Sequence, residues 1–323
     1  MWTIKQPSKI IFGKNSVNEF PFPERCLVIT SKGAKSRGWL DYCGLNGKLI
    51  FDGVESNPSI DITKKIISLF QDVDFTHIIG IGGGSVLDVA KFCAFKMNKL
   101  KILIPTTFGS GSEVTRISVL KIKGKKKSFH DDKLFADIAI IDSNFAKNTP
   151  KNIFKNSVVD ALAQCSEGYD SKIGNYYTQF LCKTAFNLLE DGILNNNYEN
   201  ISYGSLLSGL GFGNSSTTLG HALSYVYSNE NYSHGHALAF TTTVAHKFNN
   251  SEYFERFFNL IKILKFSKIS LKQNFEFASE VIFEDRKHLD NNPVNITKQN
   301  IISLLQQIEI NSFNFDENTE NSL

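Results

Sequence analysis

The sequence predicts an α/β amino-terminal half, built on a parallel β-sheet with helices on both faces, and an all-helical carboxyl-terminal half. In the first half, short β-branched apolar runs alternate with segments of helical spacing. From Asn152 onward the strand pattern disappears, and helical spacing continues to Ile310. We therefore place a boundary near Pro150, which divides the chain into an α/β domain of residues 1–150 and a helical domain of residues 151–323.

Six apolar runs have the length and composition of sheet strands. They predict strands at residues 9–12, 25–30, 49–52, 76–81, 100–104 and 138–142. Residues 118–123 and 127–129 flank Gly124 and predict a hairpin outside that series. The apolar positions of residues 61–70 share one helical face, with Asp61 in place to cap the helix. The polar tail after Asn311 is expected to fray.

The composition is that of an ordinary globular protein, with 41% hydrophobic residues, 21% charged residues and a net charge of +3. This charge is too small to indicate nucleic-acid binding, and the lysine-rich run at residues 123–128 lacks interleaved aromatic residues. The five cysteines have no CxxC spacing, which favours buried, reduced thiols in a cytoplasmic protein. The sequence shows neither a signal-peptide pattern nor an apolar run of membrane-spanning length, so no membrane partner is expected.

Two loops of small residues follow neighbouring strands of the predicted sheet. The first is a glycine turn between a strand and a helix, where free backbone N–H groups lie at the positive end of the helix dipole and favour a phosphate. Alone, this turn is equally consistent with an ordinary strand–helix connection, because it lacks the GxGxxG spacing. The pair predicts a dinucleotide cleft in a Rossmann-like sheet. The residues expected to contact the cofactor are Gly82, Gly83, Gly84, Ser85, Asp88, Thr106, Thr107, Ser110 and Ser112.

The two loops together, GGGSVLDVAK followed by PTTFGSGSEVT, resemble the iron-containing (group III) alcohol dehydrogenases, which are relatives of glycerol dehydrogenase and dehydroquinate synthase. The resemblance implies a dehydroquinate synthase-like fold and an NAD(P)-dependent alcohol dehydrogenase or aldehyde reductase. It also implies a homodimer and a divalent metal, with Fe²⁺ favoured and Zn²⁺ as the alternative. A cation near the nicotinamide would polarise the carbonyl oxygen as hydride reaches the carbonyl carbon.

In that family an Asp and a His at positions i and i+4 of one helix bind the metal together with one His from each of two later segments. Asp160, His221 and His234 match three of these ligands, and Gln164 stands where the family has a His. Three interpretations of Gln164 remain open. It is a weak fourth ligand, it acts behind a bound water, or the metal site has been lost.

The run from GHALSY to SHGHALAF, with DALAQ before it, looks most like the branch that reduces phosphonoacetaldehyde to 2-hydroxyethylphosphonate. Tyr225 occupies the place of a second family His, and His236 is a candidate proton relay, so both are predicted catalytic residues. Arg116 is predicted to bind the substrate anion. Lys127 is a second candidate for the anion and is also assigned to the cofactor cleft.

Cofactor choice and function class are less tightly specified by the sequence. Ser31 stands where NAD-preferring relatives tend to have an Asp for the ribose, with Lys32 and Lys35 nearby, so NADPH is slightly favoured over NADH. The competing functions are a generic alcohol or polyol dehydrogenase, a lyase or cyclase like dehydroquinate synthase, and a degenerate member without metal. The lyase alternative lacks a basic substrate cluster in the helical half.

Overall fold

Six parallel strands form the central sheet of the amino-terminal half. The strands are β1 (Lys9–Phe12), β2 (Cys26–Ile29), β3 (Leu49–Phe51), β4 (His77–Gly82), β5 (Leu100–Pro105) and β8 (Ile138–Ile141). Their order across the sheet is β1-β8-β5-β4-β2-β3, and every neighbouring pair is parallel. The computed structural model that gives this arrangement describes residues 1–310, so the tail predicted to fray after Asn311 lies outside the described residues.

The central strands are buried because both faces of the sheet are covered. All four residues of β2 are buried, as are five of the six in β4 and in β5. The helices of this half are α1 (Lys32–Ser36), α2 (Trp39–Tyr42), α3 (Ile60–Phe70), α4 (Gly84–Met97) and α5 (Asn144–Lys147). A separate antiparallel hairpin consists of β6 (Ile117–Ile122) and β7 (Lys125–His130), as the sequence predicts.

One local prediction needs correction. The residue in the N-cap position of α3 is Ser59, which is extended, and Asp61 lies within the first turn instead. There the carboxylate of Asp61 pairs with Lys64 at 2.8 Å. The helix thus begins one residue earlier than its periodicity suggests, and the acidic side chain still lies near the positive end of the helix dipole.

Helices alone build the second half of the described chain. They are α6 (Lys151–Asp170), α7 (Tyr176–Asn195), α8 (Tyr198–Ser215), α9 (Leu219–Asn229), α10 (His234–Asn249), α11 (Phe254–Leu264), α12 (Phe275–Phe283), α13 (Arg286–Asn291) and α14 (Lys298–Ile310). None of the helices within residues 1–310 has the length and apolar character needed to cross a bilayer. All five cysteines are buried and unpaired.

The two halves meet where the second small-residue loop packs on α8. Gly111 has a left-handed backbone (φ 59°), and a Cβ atom at this position would lie 2.7 Å from the Cα of Gly209. A Cβ at Gly109 would lie 2.4 Å from the backbone oxygen of Ser157 in α6. Side chains are therefore excluded at both positions, and the loop is held between the sheet and the helical half.

Candidate active site

The glycine turn connects β4 to α4 without a side-chain cap. Gly83 is the N-cap residue, has extended backbone, and makes no side-chain hydrogen bond to the first turn. A Cβ on Gly84 would lie 2.6 Å from the Oγ of Ser110, so the turn lies directly against the second loop. The first N–H groups of α4 therefore face the space between the two loops, which is an arrangement suited to a phosphate.

Asp88 and Lys91 tie the second loop and the hairpin to α4. Asp88 accepts hydrogen bonds from the Oγ of Ser112 at 2.7 Å and from the backbone N–H of Val119 at 3.0 Å. The Nζ of Lys91 lies 3.3 Å from Asp88 and donates to the carbonyl of Ser112 at 2.8 Å and that of Thr115 at 3.4 Å. It also donates to the carbonyl of Ile117. This buried network fixes the shape of the predicted cofactor loops.

A cleft of about 390 Å³ runs between the two loops, the hairpin and the start of α6. Of the predicted cofactor residues, this cleft is lined by Gly84, Ser85, Asp88, Thr107 and Ser110. Thr106, another predicted cofactor residue, lies behind this lining. It is buried and donates its N–H to the carbonyl of Gly82 at 2.9 Å. Ser112 lines the neighbouring cavity, described below.

The structure brings Lys126 into this cleft, and Lys127 lines neither cavity. Successive side chains of a strand point to opposite faces. Lys127 is exposed, with its Nζ 6.0 Å from the ring of Phe129. Lys126 faces inward. Burial lowers its pKa, and the charge of Asp160 offsets only part of that change. The predicted lysine is therefore corrected by one position, from Lys127 to Lys126.

Ser31 lies at the end of β2, outside the lining of the cleft. Its Oγ accepts the N–H of Ala34 at 3.2 Å, which makes it the N-cap of α1. Lys35, one of the bases counted toward a 2′-phosphate, forms an ion pair with Asp52 at 2.7 Å. An acid is thus present in this region, at the end of the neighbouring strand β3, although β2 itself ends in Ser31.

Asp160, His221 and His234 converge from three different helices. One ligand atom from each lies within 4.8 Å of the other two. The Nε2 atoms of His221 and His234 are each 3.8 Å from the same Oδ1 atom of Asp160. Two imidazoles and a carboxylate form a donor set that suits Fe²⁺ or Zn²⁺, so the three matched positions fit a divalent metal.

Gln164 lies one turn after Asp160 on α6. Its Nε2 donates to the Oδ1 of Asp160 at 2.9 Å, which leaves its Oε1 buried and without a hydrogen-bond partner among residues 1–310. The opposite amide orientation would place two oxygens against each other, so the carboxylate fixes this one. An unpartnered buried oxygen beside the ligand group also fits a cation site.

Glu167 holds His221 from behind and was not assigned a role in the sequence analysis. Its carboxylate accepts the Nδ1–H of His221 at 3.0 Å and the backbone N–H groups of Thr218 at 2.7 Å and His221 at 3.1 Å. Because Nδ1 is held by this bond, Nε2 is the nitrogen of His221 that faces Asp160 and that would bind a metal. Glu167 lies seven residues, or two helical turns, after Asp160, and therefore on the same side of α6. This spacing was the sequence feature that could have identified it.

Charges around the group set different proton affinities on the two imidazoles. Burial lowers the pKa of His221, but the adjacent carboxylates of Glu167 and Asp160 outweigh it and raise the pKa to about 9. Burial lowers the pKa of His234 to about 4, against the attraction of Asp160. Burial alone would raise the pKa of Glu167, but the charge of His221 and the hydrogen bonds from His221 and Thr218 together lower it.

Replacing Glu167 with Gln is expected to weaken metal binding by about 10- to 100-fold. The amide keeps the size of the carboxyl group but removes the charge that makes His221 a stronger donor and sets its tautomer. The measurement is the dissociation constant for Zn²⁺ in a chelator competition. Substitution of Glu276 with Gln, an exposed position on α12, is the control. Unchanged affinity in the Glu167→Gln protein would contradict the assigned contact.

A second cavity of about 480 Å³ is lined by all three ligands. Asp160, His234 and Tyr225 line both cavities, so the two compartments meet at the ligand group. Burial raises the pKa of Tyr225, and the charges of Asp285 and Asp160 raise it further. The phenol is therefore a protonated donor at neutral pH.

His236 lies away from both cavities, contrary to its predicted role as a proton relay. It follows His234 by two residues on α10, which turns it about 200° around the helix. Its Nε2 contacts the carbonyl of Ser267 at 2.5 Å, and its ring packs 5.2 Å from that of Phe266. It is a packing residue of the helical half.

His288, on α13, is the histidine that lines the larger cavity where His236 does not. It belongs to no motif that the sequence analysis identified. Its ring stacks on His221 with centroids 6.4 Å apart, and lies 5.9 Å from the ring of Tyr225. Its Nδ1 contacts the Oδ2 of Asp285 at 2.6 Å. Arg116, predicted to bind the anion, does line this cavity, where its Nη1 pairs with Asp132 at 2.9 Å.

Comparison with known families accounts for most of the chain. Residues 7–143 match the family model for iron-containing alcohol dehydrogenase, and residues 154–284 match the model for the carboxyl-terminal domain of the same family. Similar solved structures include an iron-containing alcohol dehydrogenase (TM-score 0.88, 24% identity, 96% of this chain and 99% of that one). Another is a sulfoacetaldehyde reductase from Bifidobacterium kashiwanohense in complex with NAD⁺ (TM-score 0.88, 21% identity, with the same coverage). At these identities the likeness shows the fold.

Curated relatives are dehydrogenases with different named substrates. The chain is 35% identical to a 4-hydroxybutyrate dehydrogenase of Clostridium kluyveri, over 56% of each chain. It is 32% identical to a long-chain-alcohol dehydrogenase of Geobacillus thermodenitrificans, over 54% of this chain and 52% of that one. These matches span about half the length of both relatives. An NADPH-dependent butanol dehydrogenase of Clostridium saccharobutylicum is 27% identical, over 85% of this chain and 80% of that one.

Proposed function

Because the chain belongs to the iron-containing alcohol dehydrogenase family, we propose that it is an NAD(P)H-dependent, metal-assisted reductase of a small anionic aldehyde. The substrate we favour is phosphonoacetaldehyde, which would be reduced to 2-hydroxyethylphosphonate. The observation that carries the proposal is the convergence of Asp160, His221 and His234 where the two cavities meet, since Asp160 and His234 line both. The cofactor cleft lies on one side of them, and a cavity with cationic side chains lies on the other.

Each bound group has a defined chemical part in this proposal. Asp160, His221 and His234 would hold the metal, with Gln164 beside them, and the metal, Fe²⁺ in preference to Zn²⁺, supplies a Lewis acid for the carbonyl oxygen. The glycine turn and Ser110 would hold the phosphates of the cofactor, which supplies the hydride. The expected assembly is a homodimer.

The protein's own residues orient the aldehyde and exclude water. Tyr225 is placed to donate its O–H to the oxygen of the substrate, since the phenol is protonated and lines both cavities. The ring of His288 closes the wall between Tyr225 and His221. Glu167 keeps His221 in the tautomer that presents Nε2 to the site.

An anionic substrate is supported by the charge of the cavity and by two of the relatives. The named substrates 4-hydroxybutyrate and sulfoacetaldehyde each carry an anionic group. Arg116 provides a guanidinium in the same cavity as the ligand group. A generic alcohol dehydrogenase remains the second candidate, since butanol, the named substrate of another relative, is neutral.

The test is cofactor oxidation by the metal-loaded protein with phosphonoacetaldehyde and with propanal. We expect kcat/KM for phosphonoacetaldehyde to be at least about tenfold higher, which is the contribution of one charge-assisted hydrogen bond. NADPH is expected to be used more efficiently than NADH. Equal rates for the two aldehydes would favour the second candidate, a generic alcohol dehydrogenase. The absence of turnover with any aldehyde and either cofactor would contradict reductase activity.

A further inference from the structure

Four basic side chains from three segments of the chain line the larger cavity. Lys5 comes from the amino-terminal segment, Arg116 precedes β6, His130 ends β7 and Lys287 lies on α13. Arg116 and His130 lie at the open end of the same hairpin, whereas Lys5 and Lys287 come from distant parts of the chain. Their convergence is therefore a property of the fold, and the motif analysis identified only Arg116.

The acidic side chains at this end are too few to neutralise the basic ones. Asp132 pairs with both Lys5, at 2.5 Å, and Arg116, at 2.9 Å. Asp285 contacts the imidazole of His288. One carboxylate is therefore shared between two cations, and the second carboxylate is engaged by a histidine.

Lys287 forms no ion pair with a carboxylate among residues 1–310. Its Nζ lies 3.4 Å from the Nε2 of His130, a neutral partner. The pKa of Lys287 is lowered, mainly by burial. The charge of Asp285 opposes this change, and the charge of Arg116 adds to it. The pKa of His130 is lowered to about 4, first by burial and then by Lys287 and Arg116. His130 thus lies in the field of two cations, and the charge of Asp285 acts on Lys287 from beyond ion-pair distance.

This positive end lies close to the ligand group. Lys287 directly precedes His288, whose ring stacks on that of His221. Lys287, His130 and Arg116 line the same cavity as Asp160 and His234. A small molecule in this cavity therefore meets a cation site at one end and basic side chains at the other.

We propose that Lys287 and Arg116, together with the imidazole of His130 as a hydrogen-bond donor, form the subsite for the oxyanion group of the substrate. The subsite rests on the proposed function and defines its substrate class as small aldehydes with a terminal phosphonate, sulfonate or carboxylate. The anion supplies the negative charge that this end of the cavity lacks. The aldehyde oxygen is then directed toward Asp160, His221 and His234, and a neutral aldehyde lacks this orientation.

The test measures anion binding without turnover. Titration calorimetry of the full-length protein with ethylphosphonate, which has no carbonyl group, gives the dissociation constant directly. In the Lys287→Met protein this constant is expected to rise at least about tenfold, while Lys287→Arg stays within about threefold of the wild type. Lys127→Met is the matched control, because Lys127 is an exposed lysine of β7, the strand that carries His130, and lines neither cavity.

Each outcome decides the proposal. A tenfold loss in Lys287→Met with unchanged binding in Lys127→Met supports the subsite. Three results would overturn it: equal binding by the wild type and Lys287→Met, an equal loss in the control, or no binding of ethylphosphonate to the wild type. Binding that ignores Lys287 would place the anion elsewhere, such as at the glycine turn. Ethanesulfonate and butyrate, titrated in parallel, rank the three oxyanions.

The outcome is separate from that of the aldehyde assay. If Lys287-dependent binding occurs but no aldehyde is reduced, the subsite stands and the reductase assignment fails. If phosphonoacetaldehyde is reduced equally well by the wild type and Lys287→Met, the reductase assignment stands and the subsite fails.

Discussion

Replacing Asp160 with Asn is expected to remove the metal and to lower kcat/KM for aldehyde reduction by about 1000-fold, equivalent to about 4 kcal/mol. Asp160 is the only carboxylate in the ligand group, and its Oδ1 faces the Nε2 atoms of both His221 and His234 at 3.8 Å. The amide has the same shape but no charge, so the cation would keep two neutral imidazoles and lose its anionic ligand.

The measurement is metal content by mass spectrometry together with steady-state kinetics. Asp72→Asn, at an exposed position after α3, is the control for handling and purification, and it should retain both metal and activity. A melting temperature close to that of the wild type, measured with both proteins metal-free, separates loss of the ligand from loss of the fold. Normal metal content with normal kcat/KM in the Asp160→Asn protein would show that catalysis does not depend on this group.

Replacing Lys91 with Met is expected to lower the free energy of unfolding by about 3–5 kcal/mol. Lys91 is fully buried, and its ammonium group contacts Asp88 and three backbone carbonyls. Met fills a similar volume but leaves a carboxylate without its charge partner and buried carbonyls without a donor. The second small-residue loop should loosen as well, so cofactor binding should weaken.

Thermal unfolding followed by circular dichroism measures this effect. Lys96→Met is the matched control, because Lys96 lies on the same helix and is exposed. Its free energy of unfolding should change by less than about 0.5 kcal/mol. Similar melting temperatures for the two variants would mean that the contacts of Lys91 contribute little net stability.

Local patterns were sufficient for the sheet and the hairpin. Each predicted strand lies within one residue of an observed one for β2 to β5, β1 and β8, because buried parallel strands are continuous apolar runs bounded by clear breaks. The hairpin also lies where its flanking residues predict it. The sequence pattern does not specify which residues of β7 face the cleft, because a shift of one residue moves every side chain to the opposite face. The structure accordingly places Lys126, one residue before the predicted Lys127, in the cleft.

Only the family resemblance predicted that Asp160, His221 and His234 form one ligand group. Asp160 and His234 are far apart in the chain, and no periodicity brings α6 and α10 together. His288 and Lys287 could not be found in this way, because they lie beyond the matched family segment, which ends at residue 284, on a six-residue helix. Their contacts depend on how α13 packs against α9, which is a tertiary property. His236 illustrates the converse: two residues of the same type, close in sequence, lie on different sides of one helix.

The hairpin of β6 and β7 is a shared wall, with Lys126 on the cofactor side and Ser128 and His130 on the aldehyde side. Any displacement of this ribbon by an incoming nucleotide carries those last two residues with it. If a nucleotide displaces the ribbon, the affinity of the second cavity for its ligand would change, and thermodynamic linkage would make the effect equal in both directions.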